Sequence, residues 1–145
     1  MVRKALLVGI NDYSPVGSGG PDLQGCVNDV KDMASTLTSM GIIPAVPACL
    51  KILTNSNATR KNILEGLKWL VNGAKTGDVL IFHYSGHGTQ VVDVSGDEID
   101  KIDEAICPHD FKSAGVIKDD DLRNIFKPIA AGVNLDVILD SCFAG

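Results

Sequence analysis

Val79-Leu-Ile-Phe-His-Tyr-Ser-Gly-His-Gly88 decides how this 145-residue chain is read. Its first half, Val79–His83, is continuously apolar rather than alternating. A strand with one wetted face alternates polar and apolar residues, and a strand covered on both faces does not. The run therefore predicts a strand buried on both sides. The second half sets a histidine between two glycines at the carboxyl end of that strand.

Two further stretches share the pattern. Lys4-Ala-Leu-Leu-Val-Gly-Ile10 stops at Asn11-Asp12, and Leu135-Asp-Val-Ile-Leu139 runs into Asp140-Ser-Cys-Phe143. Cys49–Leu53 is a weaker fourth strand. Helical stripes lie between them. Val30, Met33, Leu37 and Met40 fall on one face of a helix over about Cys26–Met40, with Gly41 as its stop. Ile63, Leu64, Leu67, Leu70 and Val71 mark a second, with Thr59 as N-cap and Gly73 as terminator. Leu122, Ile125, Phe126 and Ile129 mark a third. Asp119–Asp121 suit the positive end of its dipole, and Pro128 ends it.

The order is thus β-α-β-α-β, an irregular acidic insert, then α-β. It predicts one α/β domain over residues 1–145: a three-layer sandwich whose mostly parallel sheet carries helices on both faces. Ser14–Pro21 and Thr89–Lys101 read as irregular loops.

Composition narrows the function. A net charge of −5 disfavours nucleic-acid and anionic-membrane partners and fits a cationic substrate. There is no apolar run of about 18 residues, and Ala5–Ile10 is too short for a signal-peptide core. A cytoplasmic location is the default expectation. The cysteines, Cys26, Cys49, Cys107 and Cys142, form no CxxC pair, which argues against zinc, and their thiols are expected to be reduced. Cys49 and Cys107 read as core residues, His83 as a hydrogen-bonded core histidine and His109 as solvent-facing.

Ligands of such sheets bind beyond the carboxyl ends of the strands. There the topology delivers His87 on one strand and Cys142 on another. A thiol attacks a carbonyl as thiolate, and an imidazole can take its proton and later protonate a leaving amine. The backbone amides of Gly88 and Cys142 are candidates for an oxyanion hole. Arg3, Arg60 and Arg123 are the only arginines, and none adjoins either motif, whereas Asp29 and Asp140 lie close by. Carboxylates there suit a guanidinium or ammonium side chain.

Tyr84-Ser-Gly-His-Gly88 and Asp140-Ser-Cys142 resemble the two catalytic motifs of caspase-like cysteine peptidases in their metacaspase form. Gly25-Cys-Val-Asn-Asp-Val30, Asp103-Glu-Ala-Ile106 and Ile117-Lys-Asp-Asp-Asp-Leu122 fall in the same family order. The resemblance implies a caspase-like fold and cleavage after Arg or Lys. It also implies a specificity pocket at Cys26, Asp29, Ser85 and Asp140. No cofactor is needed for the chemistry. Many metacaspases are calcium-activated, and the resembling ligands here are Asp119 and Asp120 with Asp100 or Asp103. An acidic insert of this kind either holds calcium or is merely solvated; it is not an EF-hand.

Two departures stand out. The family motif continues His-Ser-Gly after the cysteine, where this chain has Phe143-Ala-Gly145; altered substrate contacts are expected, not inactivity. The family's small subunit, which completes the sheet, does not follow Cys142. The expectation is a large-subunit domain of a longer or two-chain enzyme, weakly active and self-associating alone. The rival reading is a non-catalytic caspase-like module that binds a protein partner through an exposed sheet edge. A flavodoxin-like nucleotide binder is disfavoured, because the loop after the first strand has neither GxGxxG nor a P-loop.

Overall fold

The computed structural model describes residues 1–12, 25–92 and 102–143. The elements run β1 (Arg3–Gly9), α1 (Cys26–Ser39), β2 (Leu50–Thr54), α2 (Arg60–Val71), β3 (Val79–Val92), β4 (Ile102–Ile106), α3 (Phe111–Ala114), β5 (Ile117–Lys118), α4 (Asp119–Phe126) and β6 (Asn134–Phe143). β2, β1, β3 and β6 are parallel neighbours in that order. β4 and β5 extend the sheet antiparallel, β4 pairing the second half of β3.

The unbroken apolar runs of β1 and β3 are explained by two cores, one on each face, whereas the third run, in β6, is not buried on both faces as expected: of its apolar residues only Leu135 packs on a core. Leu6, Val8, Leu80, Phe82 and Tyr84 face α2 and α4, meeting Ile63, Leu67, Leu70 and Leu122. Ala5, Leu7 and Ile81 face α1, meeting Val30, Ala34 and Leu37. Each large apolar side chain buried this way stabilises the fold by about 1.5–3 kcal/mol before entropy is counted. α1 lies close on β1: a Cβ on Gly9 would stand 2.7 Å from Val30 Cγ2 and 2.8 Å from the carbonyl oxygen of Cys26. The Thr59 hydroxyl accepts the Asn62 amide at 3.2 Å, the N-cap bond read from sequence. Gly73 ends α2 at φ +69°, a region that suits glycine.

The two ends of the insert form strands. Thr89–Val92 continue β3, where the start of an irregular loop over Thr89–Lys101 was expected, and Ile102–Ile106 just after that range form β4. Thr89–Val92 and Ile102–Ile106 have no long apolar run to announce a strand; the antiparallel ladder from Gly88–Ile106 to Val92–Ile102 carries them instead. His109 is also a correction. It is 5% exposed, and its amide donates to the Ala58 carbonyl at 2.9 Å beside the start of α2. Cys107 is buried as expected, and Cys49 is half-buried against the α1-side core.

Both ends of the sheet are pinned. Before β3, the Asp78 carboxylate accepts the amides of Val2 at 2.8 Å and Lys75 at 2.9 Å. The Asp78 carbonyl accepts the Asn134 amide at 2.8 Å, which joins β3 to the start of β6. At the carboxyl end, Asn55 Oδ1 accepts the amides of Asn11 and Asp12, and Asn11 Oδ1 accepts the Val27 amide in the first turn of α1. The outer edge of β6 pairs with no strand among the described residues. Val137, Ile138 and Leu139 stand about 40% exposed there.

Candidate active site

The parallel ladder between β3 and β6 aligns the two motifs. Ser85 is the register partner of Asp140, and His87 that of Cys142. Adjacent strands lie about 4.8 Å apart, and register partners fall on the same face of a sheet. That face is the one covered by α1, since Ile81 packs there and His83, Ser85 and His87 follow at intervals of two. Cys142 is placed by its backbone.

His87 is 6% exposed, and its main chain is held firmly. Its carbonyl oxygen accepts the Cys107 amide at 3.0 Å. The Tyr84 hydroxyl stands 2.6 Å from that oxygen and 2.9 Å from the carbonyl of Cys107, sharing its proton between them. The His87–Cys107 bond makes those two a bonded pair of the antiparallel ladder. The Gly88 amide therefore turns away from β4, to the side where β6 brings Cys142. A Cβ on Gly88 would stand 2.7 Å from the Ser141 Cβ, so only glycine lets the two motifs close on each other.

Beside this pair an open cleft of about 360 Å³ is lined by Asp29, Asp32, Met33 and Thr36 of α1 with His83 and Asp140. The Ser85 hydroxyl donates to Asp29 Oδ2 at 3.5 Å. Three of the four residues of the expected specificity pocket, Asp29, Ser85 and Asp140, thus come together. Cys26 does not line the cleft; it is buried as the first residue of α1. Asp29 and Asp140 are exposed to solvent, open to an incoming cation.

His83 departs from expectation. It is buried, but its Nδ1 has no hydrogen-bond partner among the described residues, and the residue lines the cleft. Desolvation pushes its pKa below the ordinary 6.5, against the pull of Asp140 and Asp29. Tyr84 was also missed; its phenol on the core side of a strand was a sign of a polar atom needing a partner.

The acids of the expected calcium site are only partly assembled. Asp119 and Asp120 open α4 and share the Arg123 guanidinium at 2.7 and 3.8 Å, so a positive charge already sits on these two carboxylates. Asp103 lies on β4 as the register partner of Val91, and Asp100 lies outside the described residues. Among the described residues no three carboxylate, imidazole or thiol groups are gathered to hold a metal. No helix among them is long and apolar enough to cross a membrane.

Known proteins are similar to this chain in sequence and fold. The family model for "Metacaspase, peptidase C14 domain" matches residues 3–145. The chain is 45% identical over 150 residues to Metacaspase-1 of Coccidioides immitis, covering 99% of this chain and 31% of that protein. It is 44% identical to Metacaspase-1A of Aspergillus niger, covering 99% and 36%. The crystal structure of protein GSU0716 from Geobacter sulfurreducens matches with a TM-score of 0.78 at 33% identity, covering all of this chain and 52% of that one. The chain therefore spans about a third of the length of the curated relatives it matches.

Proposed function

The chain belongs to the metacaspase family of C14 peptidases, and on that premise we propose that it carries the catalytic centre of a cysteine endopeptidase cleaving after Arg or Lys. Cys142 is the nucleophile and His87 its acid/base partner. The observation that supports this reading is the register of β3 and β6, which makes His87 and Cys142 neighbours and sets Ser85 and Asp140 one step behind them.

The chemistry follows from the roles. The Cys142 thiol gives its proton to His87 and attacks the scissile carbonyl carbon. The oxygen, now negative, takes hydrogen bonds from the amides of Gly88 and Cys142, which face the partner strand in the β3–β6 ladder and must be released from it to turn toward the substrate. The carbon–nitrogen bond breaks as His87 returns the proton to the leaving amine. Water, deprotonated by His87, then hydrolyses the thioester and restores the thiol. Asp29 and Asp140 hold the cationic side chain before the cut, with Ser85 orienting Asp29.

A calcium ion belongs to the same proposal. Asp119 and Asp120, with Asp100 or Asp103, would hold it in place of Arg123, offering the hard oxygens that calcium prefers. Bound there it would tie the acidic insert to α4. The outer edge of β6 is proposed to be covered by a further strand, from a small-subunit segment or a partner chain. That edge also supports the rival reading of a non-catalytic binding module.

Arg- and Lys-based fluorogenic peptides, assayed with and without calcium beside Cys142→Ala, test the proposal. Hydrolysis lost with the thiol supports it. Hydrolysis that survives rejects the mechanism, and none from a full-length version favours the binding module.

A further inference from the structure

His83 is left unused by this chemistry, yet it occupies the floor of the cleft. It lies on the α1-facing side of β3, two residues before Ser85, and is 5% exposed. Asp29 and Asp32 line the cleft with it from α1, and Asp140 from β6. Its register partners are Leu7 on β1 and Ile138 on β6, neither of them charged. Among the described residues no basic side chain lines the cleft. Its Nδ1 is buried and has no hydrogen-bond partner among the described residues.

A neutral imidazole can leave one nitrogen as a bare acceptor, whereas an imidazolium donates from both. Charging His83 therefore buries an N–H with no acceptor as well as a charge. Among the described residues, the groups that favour the charged ring are the carboxylates Asp140 and Asp29. Those are the groups a cationic substrate side chain would use. A proton on His83 and a cation in the cleft draw on the same two charges and repel each other.

We propose that His83 is a specificity-determining residue: neutral, it leaves Asp29 and Asp140 to a guanidinium or ammonium side chain, and protonated, it takes those carboxylates and shuts the cation out. The inference rests on the reading of the cleft as a basic-residue pocket and adds the condition under which that pocket works. By linkage, a bound cation must lower the affinity of His83 for its proton by the same factor that the proton lowers the affinity for the cation.

Agmatine, a guanidinium with no scissile bond, probes the cleft without chemistry. Its binding to the full chain is measured by calorimetry from about pH 5 to about pH 8, for the wild type, His83→Asn and His83→Gln. The expected wild-type affinity is flat near pH 8 and falls by up to about tenfold for each pH unit below the pKa of the ring. Both variants should lose that fall. In the wild type alone, the His83 ring signal followed by NMR should titrate at lower pH with agmatine bound, which settles the matter even if a variant fails to fold. An unmoved His83 titration, or the same fall in affinity in variants and wild type, overturns the role of His83 while leaving the basic pocket standing. Absence of agmatine binding at every pH removes the pocket and this proposal with it.

Discussion

His87 and Cys142 are register partners in a parallel ladder that runs unbroken from Val79–Asn134 to Gly88–Phe143. The far end of that ladder is fixed by Asp78, whose carboxylate holds Val2 and Lys75 and whose carbonyl holds Asn134. A slip of one residue would carry every side chain of β6 to the other face. The backbone bonds around Asp78 thus set, about ten residues away, which residue of β6 meets the histidine.

Asp29→Asn and Asp140→Asn each remove one charge from the cleft beside the proposed dyad. Each should lower kcat/KM for Arg and Lys peptides on the order of 100-fold, mostly through KM. Steady-state kinetics with matched Arg and citrulline substrates reads this directly. An unchanged preference in Asp29→Asn would remove Asp29 from the pocket.

Tyr84→Phe deletes the hydroxyl that bridges the carbonyls of His87 and Cys107. Two buried acceptors are affected, so a stability loss of about 1–3 kcal/mol is expected in urea unfolding. The His87 carbonyl keeps the Cys107 amide, so kcat should fall while the variant still folds. Unaltered unfolding would show that the hydroxyl contributes nothing there.

Asp78 gives the fold an acid limit. Its carboxyl is held below the usual 3.8 by the amides of Val2 and then Lys75. A depressed folded-state pKa adds stability that is fully present above the unfolded value and is lost as pH falls through the folded one. The urea midpoint of Asp78→Asn should therefore lie below wild type at pH 7, with the gap closing as pH drops below about 4. A gap independent of pH would refute the assignment.

Burial pushes the Cys107 thiol up to about 11. At pH 8 its thiolate fraction is small, so iodoacetamide should modify it about 100-fold more slowly than an ordinary thiol of pKa about 8.5. Peptide mapping of the native and urea-unfolded protein compares the two rates. Fast native labelling of Cys107 would contradict its place in the core.

Much of this was legible in sequence because period and punctuation report burial directly. The apolar runs at Ala5 and Leu80 announce strands covered on both faces, and Thr59 and Gly73 bracket α2; the run at Leu135 announced a strand too, but β6 is not covered, with Val137, Ile138 and Leu139 exposed. His87 and Cys142 could be placed at strand ends without knowing their register. β4 was not legible, because a short strand that leans on the extension of β3 has no strong pattern of its own. His83 and His109 were misjudged because exposure and hydrogen bonding depend on what packs above a residue: α1 over His83, and the start of α2 beside His109. Cys26 matches the family's pocket motif, yet its position in the first turn of α1 buries it.

The most direct test of the dyad is mass spectrometry of the chain after exposure to a peptidyl-arginyl chloromethyl ketone. One adduct is expected, on Cys142, formed on the order of 100-fold more slowly in His87→Ala and not at all with the aspartyl analogue. An adduct on another cysteine, or equal labelling of Cys142 with and without the imidazole, would contradict the account.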